Sequence, residues 1–244
     1  MLGYGKTDIG QIRLKNEDSI YISNEPVGKL HNLYIVADGM GGHKAGQVAS
    51  NTAIEAFLAY LNKYQPDSTE EPLDMLIGGV NMANDAVYKL GQTYSEYSEM
   101  GTTMIAATIF GNSMYIAHVG DSRLYKITDN KISQITNDHS LVAEMIKAGQ
   151  ITEDEARIHP QRNCITRAVG TDCNVTTDGL IIKVKENDII VMCSDGLNSM
   201  LEDDEICNIA NAKGFSIEER IDILISTANN NGGNDNISAI IIEI

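Results

Sequence analysis

The chain has 244 residues, with 18 basic against 34 acidic side chains and a net charge of −16. That balance speaks against a nucleic-acid groove or an anionic membrane surface as the main partner. A hydrophobic content of 43% with only 21% charged residues speaks against extended disorder. No apolar run approaches the ~20 residues of a membrane span. Met1–Lys6 lacks the basic-then-apolar layout of a signal peptide, so a cytoplasmic protein without membrane insertion is expected.

In chain order, Ser19–Ile22 and Leu33–Ala37 are short apolar runs bounded by turn formers, and they predict strands. Ala45–Leu61 has helical spacing, with Val48, Thr52, Phe57 and Leu61 near one face. Gln65–Pro72 reads as the loop to a second helix over Leu73–Leu90, whose repeat is Leu76, Val80, Ala83, Val87 and Leu90. Thr103–Phe110 and Ser113–Val119 predict strands joined by Gly111-Asn112, a two-residue hairpin signal. Strands follow at Ser122–Ile127, Leu180–Val184, Asp188–Cys193 and Ile237–Ile244. Thr152–Glu155 and Ser216–Glu219 are capping boxes that open two later helices. The four cysteines form no C-x-x-C pair, so neither a disulfide frame nor a zinc site is expected, and Cys193 reads as a buried thiol. Hairpin-joined strands with two early helices kept together point to an α+β fold in one domain spanning 1–244.

Four aspartates stand at strand ends beside glycine or another turn former. Asp38 follows Leu33–Ala37, Asp121 follows Met114–Gly120, Asp195 follows Asp188–Ser194, and Asp235 precedes Ile237–Ile244. A carboxylate at the rim of a buried strand can project from a rigid base into a cleft. They are too far apart in sequence for one helix face to gather them; only a tertiary fold can. Carboxylates gathered closely must be protonated or neutralised by cations, and hard divalent ions such as magnesium and manganese prefer oxygen ligands. Each Asp is also ordinary turn chemistry after a strand. An aspartyl nucleophile for phosphoryl transfer would want a second Asp two residues on, where Met40 and Leu197 stand.

Eight segments in order carry a resemblance: Arg13–Asp18, Val36–Gly42, Gly101–Thr103, Val119–Arg123, Asp138–Ser140, Ile165–Gly170, Ser194–Leu197 and Gly233–Asn236. The series resembles the metal-dependent protein serine/threonine phosphatases (PPM, type 2C), especially the compact bacterial ones, from about Gly5 to the last residue. The resemblance implies a four-layer α-β-β-α sandwich, two central antiparallel sheets flanked by helices, with a metal centre at one end. It implies that Asp38 bridges two manganese or magnesium ions, that the Gly39 carbonyl binds one, and that Asp195 and Asp235 ligate the other. Glu17 and Asp18 would hold water around the metals. Asp121, with Asp195, matches a third-metal position, and Arg13 matches the arginine that grips the substrate phosphate.

The implied chemistry is direct hydrolysis of phosphoserine and phosphothreonine in proteins, by water or hydroxide activated between the ions and without a phospho-enzyme. The implied partners are phosphorylated proteins and a cognate serine/threonine kinase, and the chain is expected to act as a monomer. Met40 stands where some members carry a histidine acid. His43 is a candidate substitute acid, although capping the helix that begins near Lys44 is the favoured reading. His118 reads as a hydrogen-bonded core or wall residue, and His139 and His159 receive no role. The segment 138–168 matches a mobile flap beside the site, with a rigid helical pair as the alternative. A phosphatase for small phosphoesters and a catalytically silent phosphoprotein-binding scaffold are the competing functions; the presence of Asp38, Asp195 and Asp235 speaks against the scaffold.

Overall fold

The computed structural model describes residues 1–41, 45–63 and 69–244. Two antiparallel sheets form its centre. One holds β1 (Leu2–Asp8), β11 (Ile237–Glu243), β10 (Ile189–Cys193), β7 (Arg123–Thr128) and β8 (Lys131–Gln134), in that order across the sheet. The other runs β2 (Asp18–Ser23), β3 (Leu33–Met40), β5 (Met104–Phe110), β6 (Ser113–Val119) and β9 (Asp178–Lys183), with the two-residue β4 (Gly101–Thr102) also paired to β3. Side chains alternate across each strand, so a strand buried on both faces reads as one continuous apolar run. In β3, Tyr34 and Val36 enter the space between the sheets, where they join Ile105, Met192, Ile240 and Ile242. Leu33, Ile35 and Ala37 face the other way, into a core shared with α1 (Ala45–Leu61) and α2 (Pro72–Thr93). On the far side, Val191, Cys193, Ala239 and Ile241 pack against α5 (Asp195–Asn198), α6 (Asp203–Ala210) and α7 (Ile217–Asn230). The layers run helix, sheet, sheet, helix, as expected from the resemblance.

The α1 bounds agree with the predicted helix, and its buried face agrees at Phe57 and Leu61 but not at Val48 and Thr52. Ala49, Ala53, Phe57 and Leu61 form the covered stripe, whereas Val48 and Thr52 stand at its margin. Small alanines let the helix approach the sheet closely, and a hydrophobicity count gives them too little weight. The α2 face of Leu76, Val80, Ala83 and Val87 is buried as predicted, and Leu90 is partly buried. The Gly111-Asn112 hairpin forms, with Phe110 opposite Ser113 and Gly111 at φ +58°. Both capping boxes form: Thr152 opens α4 (Glu153–Arg157) and Ser216 opens α7. Features that went unread include β1, β8, α5 and α6, the last opened by a further capping box of Glu202 and Glu205. Among the described residues, no helix is long and apolar enough to cross a membrane. Gln65–Ser68 of the predicted loop, and His43, lie outside the described residues.

Candidate functional site

Antiparallel pairing decides which strand ends meet. Asp18 at the start of β2 pairs with Asp38 near the end of β3, and Met104 at the start of β5 pairs with Val119 at the end of β6. In the other sheet, Cys193 at the end of β10 pairs with Ala239 near the start of β11. Asp38, Asp121, Asp195 and Asp235 therefore emerge at the same end of the sandwich. Together with Arg13, Glu17 and Gly39 they line a cavity of about 190 Å³ between the sheets. Asp195 departs slightly from the strand-end reading, since it opens the one-turn α5 directly after Ser194.

The backbone around Asp38 is held by Thr102 and Thr103. The Asp38 amide donates to Thr103 Oγ1 at 3.0 Å, and the Asp38 carbonyl accepts from the Thr103 amide and the Thr102 hydroxyl, both at 2.9 Å. Thr103 Oγ1 is also bonded to Ser122 Oγ at 2.7 Å, beside Asp121. Gly39 is needed for close approach: a Cβ there would stand 2.1 Å from the Gly46 carbonyl oxygen and 2.5 Å from that of Glu17. The start of α1 and the Glu17 backbone can then press against the end of β3.

Asp18 joins the two sheets. Its Oδ2 accepts from Ser194 Oγ, just past the end of β10, and from Ser238 Oγ on β11, each at 2.7 Å and both from the opposite sheet's side. Its Oδ1 is buried and has no partner among the described residues. The Asp38 carboxyl lies close enough to those of Asp18 and Asp195 for their charges to act on it. Burial pushes Asp18 up to about 7, Asp121 to about 8 and Asp195 to about 6, with neighbouring carboxylates adding to each. Burial first, and then Asp18, Asp195 and Asp121, lift Asp38 well above the ordinary carboxylate range. Glu17 also rises, mainly through burial, although the Arg13 charge opposes the shift.

This donor set fits hard divalent cations. It is all oxygen, it carries more negative charge than Arg13 can balance, and it includes an orphaned buried carboxylate oxygen. Arg13 NH2 meets Asp235 Oδ2 at 2.6 Å, with the guanidinium side chain half exposed. The segment carrying Arg13 is clasped by Asn236, whose Nδ2 donates to the carbonyls of Ile9 at 2.9 Å and Lys15 at 2.8 Å. Asn236 Oδ1 accepts from the Glu17 amide at 2.8 Å, so one carboxamide ties both ends of the Arg13 loop next to Asp235.

His118, His139 and Asp178 bring three donor atoms within 4.8 Å of one another. Hydrogen-bond polarity argues against a metal there. The Gly120 amide donates to His139 Nδ1 at 2.9 Å, so in the neutral ring Nε2 carries the hydrogen and faces Asp178 Oδ2 at 3.1 Å. Arg167 already answers Asp178 with an ion pair at 2.6 Å. His139 instead fixes the turn before Asp121: its backbone amide also donates to the Gly120 carbonyl at 2.9 Å, and Gly120 sits at φ +110°. His118 is fully buried, as a core residue should be, but neither ring nitrogen has a hydrogen-bond partner among the described residues. This departs from the hydrogen-bonded reading; burial holds the ring neutral, with its pKa lowered to about 3.

Residues 138–168 begin and end at this same node. Thr166 N donates to the His139 carbonyl and Leu141 N to that of Cys164, both at 2.8 Å. Between these stems lie α3 (Leu141–Lys147), which buries no residue, and α4, which buries only Ala156. Asn163 and Ile165 line the cavity. Sequence reasoning had assigned no role to Thr102, Thr103, His139 or Asn236. Each stood in a quoted motif, but their partners are backbone atoms remote in sequence.

Comparison with known proteins agrees with this fold. A serine/threonine phosphatase stp of Listeria welshimeri is 35% identical over 243 residues, covering 98% of this chain and 94% of the relative. The crystal structure of serine/threonine phosphatase Stp1 from Staphylococcus aureus superposes with a TM-score of 0.91 at 37% identity, covering 99% of this chain and 94% of that one. The catalytic domain of the phosphatase PstP, solved in complex with two manganese ions, gives a TM-score of 0.85 at 30% identity, covering 99% and 97%. The family profile described as Protein phosphatase 2C matches residues 11–240, and the chain belongs to that metal-dependent family.

Proposed function

We propose that this chain hydrolyses phosphoserine and phosphothreonine in proteins with the help of manganese or magnesium. The observation that carries the reading is the convergence of Asp38, Asp121, Asp195, Asp235 and Glu17 with Arg13 in one cavity, in a chain of this family. Divalent ions bound there would supply the positive charge that acidifies a water and stabilises charge building on the phosphoryl oxygens. Asp38, the Gly39 carbonyl, Asp195 and Asp235 are the groups we assign to a two-ion centre, and Asp121 with Asp195 to a third ion. Glu17 and Asp18 border these groups and accept hydrogen bonds from water in the loaded pocket, which gives the orphaned Asp18 Oδ1 a partner.

Arg13 reaches the cavity from an exposed, clasped loop, and its planar fork suits a phosphate dianion. Its partner here is Asp235. A cation held by Asp235 would compete for that carboxylate and leave the guanidinium available to the substrate phosphate. No cysteine lines the cavity among the described residues, and a direct displacement by water asks for none. Segment 138–168 serves as a flap, supported by its shallow packing and by Asn163 and Ile165 at the cavity wall. We place the enzyme in the cytoplasm, opposite a serine/threonine kinase, the class of enzyme that must make its substrates.

The test is an initial-rate assay on phosphoserine, phosphothreonine and phosphotyrosine peptides while manganese is titrated. Turnover of the first two should rise from nothing to saturation and vanish with chelator. Equal turnover without metal would reject the reading.

A further inference from the structure

The loop that presents Arg13 also presents bare hydrophobic side chains. Ile12 is 66% exposed, Leu14 is 94% exposed and Ile9 is 40% exposed. Scattered surface hydrophobes are normal, but three large ones within six residues, on the loop whose Arg13 lines a polar cavity, are not scattered. The loop is also held in place. Besides the Asn236 clasp, the amides of Gln11 and Ile12 donate to the Gly233 carbonyl at 2.8 and 3.3 Å, and that of Gly10 to Asp8 Oδ1 at 2.9 Å. A Cβ on Gly10 would stand 2.2 Å from the Asp235 carbonyl oxygen, so the loop lies directly on the segment that supplies Asp235. Ile12 and Leu14 are the chain neighbours of Arg13 on either side.

We infer that Ile12 and Leu14 form a specificity rim that selects phosphoprotein segments with apolar residues next to the phosphorylated one. This rests on the phosphatase reading and names the substrate class it favours. A peptide that places its phosphate beside Arg13 must run past one or both of these side chains. Charged flanks would lose hydration against these apolar side chains, so they are disfavoured relative to apolar ones. The occupant is the substrate segment itself. A bilayer is disfavoured by the net charge of −16, and a second copy seated here would close the cavity.

The experiment compares kcat/KM, at saturating manganese, on three phosphothreonine peptides that differ only in carrying Leu, Ala or Glu at both flanking positions. Phosphothreonine amide, which has no flanks, is the reference. The wild-type chain should prefer the Leu peptide over the Ala peptide by about three- to tenfold, through KM, and should treat the Glu peptide worst. The double variant Ile12→Ala/Leu14→Ala should lose this preference, and Leu14→Glu should also lose it and treat the Glu peptide still worse. No discrimination by the wild type, or the same discrimination in the double variant, overturns the rim. Failure of the wild type on phosphothreonine amide as well as on every peptide overturns the phosphatase reading beneath it.

Discussion

At the scale of single residues, the governing quantity is the cost of gathering carboxylates without cations. Burial and mutual repulsion raise Asp18, Asp38, Asp121 and Asp195 together. The unfolded chain ionises these groups near pH 4, whereas the folded, metal-free chain holds the protons of Asp18, Asp121 and Asp195 to about pH 6–8 and shifts Asp38 in the same direction. The folded state thus binds more protons over that interval, and stability falls as pH rises through it. The melting temperature of chelator-treated protein should therefore drop by several degrees between pH 5 and pH 8. Manganese should reverse the drop most strongly at the alkaline end, where protons no longer compete. A melting temperature that is flat, or that rises with pH, in the metal-free protein would contradict this account of the cluster. The aspartates were legible in the sequence because turn formers mark strand ends. His139 and Asn236 were not, because what they do depends on Gly120, Ile9 and Lys15, which only the fold brings near.

At the scale of elements, the Arg13 loop and the 138–168 segment border the same cavity but are held differently. One side chain, Asn236, ties the two ends of the loop together. Asn236→Ala would leave two carbonyls and the Glu17 amide without their partner, each bond contributing about 0.5–1.5 kcal/mol. We expect a lower melting temperature and about a tenfold loss of kcat/KM, mostly in KM, because Arg13 loses its fixed position. An unchanged KM would show that the clasp does not position Arg13. The 138–168 segment should exchange its amide hydrogens far faster across 141–157 than β3 does, and protection equal to that of β3 would favour the rigid helical pair. β1 escaped sequence reading for a physical reason. In β1, Gly3 and Gly5 hold the crowded positions: a Cβ on Gly3 would stand 2.2 Å from Tyr34 Cε1, and one on Gly5 would stand 2.6 Å from the Ala239 carbonyl oxygen. Close packing against those neighbours removed the hydrophobic alternation that would have announced the strand.

At the scale of the whole molecule, a chain with a net charge of −16 still offers a place for a phosphate dianion. Two sheets bring their acidic strand ends to one end, and cations turn that end from repelling anions to attracting them. The most direct test pairs manganese binding with phosphothreonine-peptide hydrolysis in the wild-type chain and in Asp38→Asn. The account predicts saturable, chelator-sensitive turnover in the wild type. In the variant it predicts a loss on the order of a thousandfold together with weakened manganese binding, in a protein that still folds. Wild-type rates or wild-type manganese affinity in Asp38→Asn would contradict it.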